Sequence, residues 1–152
     1  MPACTKKAEV TQSQPLKITV FYCKAGTEEL MPVDYTAKAS LDGAQVANYA
    51  TDQLLAGPSV GRDAVALFPI GTQASVTLSG GTATVNLIGP IQKSSSVGTS
   101  DEVAMFKALV YTLTGLPNVK EVQVLVGGQK VAALPGGHLE LDQPLTRETF
   151  AQ

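Results

Sequence analysis

A chain of 152 residues that is 44% apolar can bury a core of its own without disulfide support, and chains of this length commonly form one domain. Aromatic residues make up 5% and tryptophan is absent, so that core is expected to be aliphatic; a net charge of −2 and a pI near 5.3 exclude a nucleic-acid-binding surface. No apolar run approaches the roughly 20 residues of a membrane-spanning helix, and two separated cysteines beside a single histidine, His138, leave no Cys/His metal set.

Residues 1–16 read as a flexible N-terminal tail or tether, and 17–152 as the folded domain. Two readings of Cys4 stay open. Ala-Cys followed by a polar linker is similar to the mature start of a bacterial lipoprotein, with the lipid on the cysteine; the other reading is an incidental free thiol. One acyl chain binds membranes only marginally, so Lys6 and Lys7 would assist at an anionic surface.

Residues 17–23 alternate and are rich in β-branched and aromatic types, which predicts a strand with Ile18, Val20 and Tyr22 on one face. Cys23, on the other face, is expected to be a small packed residue, because no activating base lies nearby in sequence. After a turn at Gly26, residues 29–38 predict a return strand that Pro32 confines to a sheet edge. Asp42 and Gln45 predict a capping box, and Val46, Ala50 and Leu54 then recur four apart, with Ala47 and Leu55 beside them. Gly57 and Pro58 end that helix. Residues 59–66 predict a loop, where Arg62 and Asp63 are a solvated pair or, less simply, a partner contact.

Phe68 to Thr72 predict an elbow into a strand, and residues 73–79 and 82–88 alternate on either side of Gly80-Gly81, a two-residue turn suited to a hairpin. A polar loop at 92–99 lacks the spacing of a phosphate-binding loop, so no cofactor is expected. Ser100 predicts an N-cap, with Asp101 and Glu102 in the favoured first turn. Val103, Phe106, Leu109, Val110 and Leu113 give an apolar helix face closed by Gly115 and Pro117; Met105 and Tyr111 are expected to pack rather than line a groove. Val122, Val124 and Val126 run into Gly127-Gly128, and Val131 and Ala133 predict the far arm of a second hairpin. His138 is expected in a surface or hydrogen-bonded loop.

These elements predict an α/β (α+β) two-layer sandwich, with two helices on one face of a mainly antiparallel sheet. Helix plus Gly-Gly hairpin occurs twice, at 42–88 and 100–134, as a recurrent architecture without sequence duplication.

Five segments in order resemble the GerMN domain, the sporulation and spore germination domain: LLAGP (54–58), FPIGT (68–72), GGTATVNL (80–87), VYTLTGLPNVKEVQVLVGG (110–128) and PLTR (144–147). The resemblance covers roughly residues 17–147. Its motif positions here, taken as structural, are Leu54, Leu55, Gly57, Pro58, Pro69, Gly71, Thr72, Thr112, Leu113 and Arg147. Two departures are the Phe and Ile flanking Pro69 and the lack of acidic residues in the loop before the second helix. The resemblance implies a likeness to the ring-building modules of secretion-type assemblies and a setting outside the cytoplasm, often as a lipoprotein of Gram-positive bacteria. It supplies no catalytic residue, cofactor or metal ligand. The leading expectation is therefore a non-enzymatic binding or assembly domain of an envelope protein, acting on a protein partner or a second copy through surfaces such as the polar sheet face (Thr77, Thr84, Asn86). The alternative is a peptidoglycan or cell-wall glycan binder, disfavoured by four Tyr and four Phe mostly placed in packing. A hydrolase using Glu28/Glu29 or Glu140/Asp142 is the third reading, and a solvated strand face explains the latter pair better. The membrane enters only through a lipid anchor.

Overall fold

Strand β1 (Leu16–Lys24) forms because its alternating side chains have two different neighbours. Ile18, Val20 and Tyr22 are buried together, and strand β2 (Leu30–Ala37) pairs antiparallel along its full length. The computed structural model describes residues 15–24, 27, 29–58, 64–65, 67–93 and 99–151. The tail with Cys4, Gly26, Glu28, the Arg62–Asp63 pair and residues 94–98 lie outside them.

Helix α1 (Gly43–Ala56) begins with the expected capping box: Asp42 accepts from the Gln45 N–H at 2.8 Å, and the Gln45 side chain accepts from the Asp42 N–H at 2.9 Å. Strand β3 (Ala64–Val65), expected as loop, pairs antiparallel with Cys23 and Lys24 of β1. Strands β4 (Gln73–Ser79) and β5 (Thr82–Ile88) form the expected hairpin. Gly80 and Gly81 have φ of 59° and 89°, the positive pair that a primed turn requires. Helix α2 (Thr99–Thr114) starts one residue before Ser100, which therefore sits inside the first turn rather than at its cap. It carries Phe106, Leu109 and Leu113 into the core, each fully buried and worth about 1.5–3 kcal/mol of apolar transfer.

Strand β6 (Glu121–Val126) runs parallel to β5, because a strand reached through a helix returns in the same direction. The strands thus fall into two three-stranded sheets, β2-β1-β3 and β4-β5-β6, where the sequence suggested one. The α+β class and mainly antiparallel pairing hold; α1 packs on β1 and β4, and α2 on β1 and β6.

The second hairpin does not form. After Gly128 only Gln129 bridges back to Val126, and the other edge of β6 is taken by Leu145, which exchanges both backbone bonds with Val122 at 2.7 and 2.9 Å. Residues 130–146 instead cross the core irregularly on Leu134, Leu141 and Leu145, so 100–134 does not repeat 42–88. Glu140 and Asp142 are exposed, but on this irregular run rather than on a strand. A short 3-10 turn at Arg147–Phe150 follows and buries Phe150.

Candidate functional site

The two motif segments around the first helix meet in one groove. Leu54 is buried beneath it, while Leu55, half-buried, reaches its wall. Gly57 donates its N–H to Gln53 O and leaves the helix at φ 93° and ψ 168°, a positive-φ conformation that favours glycine but is not the left-handed helical one; Pro58 follows, half-buried. On the far side the Pro69 carbonyl accepts from the Thr72 N–H at 3.0 Å, closing the elbow around Gly71 at φ 96°. The elbow is locked to the end of β5. Gly89, at φ 110°, lies so close to Gly71 that a Cβ there would sit 2.7 Å from the Gly71 carbonyl oxygen. Thr72 buries its hydroxyl with no hydrogen-bond partner among the described residues.

The groove is lined by Asp52, Leu55, Phe68, Ile70, Thr72 and Ala74, among others. Ile70 is 98% exposed. Among the described residues Asp52 is the only charged side chain in the lining, and its partial burial lifts its carboxyl above the usual range by disfavouring the charged form. The sequence did not single out Asp52, Ala74 or Asn48. Its available signal was the pair Asn48 and Asp52, four apart at the border of the apolar helix face.

The other motif residues lie away from the groove. Thr112 is buried and accepts from the Phe21 N–H at 2.9 Å, on the side of β1 that β2 does not cover. Leu113 is core. Arg147 donates to Thr114 Oγ1 at 2.9 Å and to the Tyr111 carbonyl at 3.0 Å, with its guanidinium 4.5 Å from the Tyr111 ring centre. It caps the end of α2 and pins the C-terminal turn there. Met105 is buried, and Tyr111 stacks edge-on with Phe21. On the polar sheet face Thr77 is exposed, Thr84 is half-buried, and Asn86 Oδ1 accepts from the Gly128 N–H at 2.7 Å.

A second hollow of about 350 Å³ lies among Leu16, Leu41, Val46, Leu78, Leu116 and Val119. Among the described residues its one charged lining residue is Asp42, which is committed to the helix cap. Among the described residues no three His, Cys, Asp or Glu side chains gather as a metal site.

The family model for Germane, sporulation and spore germination, matches residues 19–132. Among solved structures, a candidate lipoprotein from Clostridium perfringens aligns at 18% identity over 88% of this chain and 89% of that one, with a TM-score of 0.63. The tandem GerMN domains of the sporulation protein GerM from Bacillus subtilis align at 22% identity over 91% of this chain and 47% of theirs, with a TM-score of 0.66. The first GerMN domain of that protein aligns at 18% over 88% and 98%, also at 0.66. No curated protein sequence matches the chain. At these identities the structures speak for the fold; the family model, spanning both helices and all six strands except the first three residues of β1, speaks for descent. The chain belongs to the Germane family of sporulation and spore germination domains, with the α+β fold of GerMN structures.

Proposed function

We propose that this family member is a non-enzymatic binding and assembly domain of a sporulation or germination envelope protein, working outside the cytoplasm through protein–protein contact or self-association. The observation that carries this reading is Ile70. One exposed apolar side chain is ordinary, but Ile70 stands on a groove built by both family motifs, beside Leu55 and Phe68, where a partner would cover it. The Cys23 thiol is buried, in keeping with packing. The candidate lipoprotein from Clostridium perfringens and GerM from Bacillus subtilis support an envelope setting, reached by secretion or by a lipid on Cys4. No helix among the described residues is long and apolar enough to cross a membrane.

Sedimentation velocity of the full chain over a concentration series, alone and with purified peptidoglycan, tests the reading. Mass that grows with concentration in the protein-only runs is the expected result. A strict monomer that sediments only with peptidoglycan would replace assembly with wall-glycan binding.

A further inference from the structure

The floor of the groove is a strand edge, and α1 already shows what satisfies it. Val76 turns its N–H and C=O away from β5, and both are taken by Asn48: the N–H donates to Oδ1 at 2.9 Å, and Nδ2 donates to the carbonyl at 2.9 Å. A carboxamide carries the same donor and acceptor as a peptide group, so Asn48 stands in for one unit of an added strand. Its Nδ2 also donates to the Ala44 carbonyl at 2.8 Å, which fixes its direction.

In an antiparallel ladder the residues that face outward recur every second position. Ala74 therefore turns its N–H and C=O to the same side as Val76, and Ala74 lines the groove. One turn further along α1 from Asn48 stands Asp52, which makes no hydrogen bond to it. Among the described residues the edge is closed at Val76 and open at Ala74.

We propose that the groove receives an extended peptide segment of a partner protein, carrying a lysine or arginine close to an apolar side chain, which adds to the open edge of β4 at Ala74. This deepens the protein-contact reading and rests on it. Three features select that occupant. An open strand edge asks for an extended backbone with its own N–H and C=O. Asp52, the only charge in the lining among the described residues and without an ion pair among them, asks for a cation. Ile70, 98% exposed beside Leu55, asks for an aliphatic neighbour.

The test is amide-resolved NMR of the full chain titrated with the capped pentapeptide Val-Lys-Val-Lys-Val, its Glu-for-Lys analogue, and a version methylated on alternate backbone nitrogens. The expected result is saturable shifts at Leu55, Ile70 and Ala74 with the lysine peptide, roughly threefold weaker binding to Asp52→Asn, and loss of those shifts with the other two peptides. Asp52→Asn changes no core contact, so its unchanged spectrum elsewhere confirms that it folds. Shifts scattered over other surfaces, no shifts, or shifts indifferent to charge and backbone methylation would overturn the site. So would groove shifts that follow protein concentration without peptide, which would give the groove to a second copy. Concentration-dependent mass without peptide binding would remove this site and leave the assembly reading intact.

Discussion

A thiol in a dry setting beside a carboxylate holds its proton, and Cys23 meets both conditions. Its side chain is 2% exposed and its Sγ–H points at the Ala104 carbonyl at 3.5 Å. Burial first, and then the charge of Asp101, push the thiol from an ordinary 9.0 to about 11, against a smaller opposite pull from Lys107. Such a thiol is a poor nucleophile, in keeping with packing. The folded value is the raised one, so the folded chain keeps a proton that the unfolded chain gives up between pH 9.0 and about 11. The stabilisation is complete below pH 9.0 and is lost as pH rises through about 11, with a size on the order of 2 kcal/mol. Urea unfolding of the native chain and of Cys23→Ala across that window reads it. The native protein should lose about 2 kcal/mol more than the variant; parallel curves would show that Cys23 does not titrate in this way.

Between elements, the carboxylate of Glu102 ties the irregular run after β6 to the first turn of α2. Glu102 is 1% exposed, and its Oε1 accepts from the His138 and Leu139 N–H groups at 2.9 and 3.2 Å. Its Oε2 rests against Gly137, leaving no room there for a Cβ. Glu102→Ala would strand two backbone donors at about 1–3 kcal/mol, and Gly137→Ala would push the carboxylate out. The double variant should be less damaged than the two losses added, with a coupling of about 0.5–3 kcal/mol measured by urea unfolding; strict additivity would show that the two residues do not meet. The sequence placed Glu102 in the first turn through the helix dipole, but not the loop it holds. Its acceptor bonds go to backbone N–H groups 36 and 37 residues away, which carry no residue signature. The capping box at Asp42 and the turn at Gly80-Gly81 were legible because their partners lie three or fewer residues apart. Val131 and Ala133 alternate as a strand would, yet Leu145 already holds the edge of β6 nearer its start.

Across the whole molecule, two sheets share no ladder, and both helices join them over one continuous core. In each sheet a side chain takes backbone groups that no strand pairs: β1 at Phe21, where the Thr112 hydroxyl accepts the N–H, and β4 at Val76, where Asn48 takes both groups. Alternation reveals which face of a strand is buried but not which edge lacks a neighbour. That is why the motif residues Leu55, Gly71 and Thr72 were legible around the groove while Asn48, Asp52 and Ala74 were not. These two side chains stand where a further strand would, so their loss tests whether the sheets fold as one unit. Thr112→Val keeps the shape and removes the acceptor, and Asn48→Ala removes the amide. Each should cost about 1–3 kcal/mol for the backbone groups left unpaired. Although each wound falls on a different sheet, the shared helices should keep one transition, with far-ultraviolet dichroism and tyrosine fluorescence coinciding in both variants. Separate transitions, with Thr112→Val melting the first sheet ahead of the second, would mean that α1 and α2 only bridge two units that fold independently.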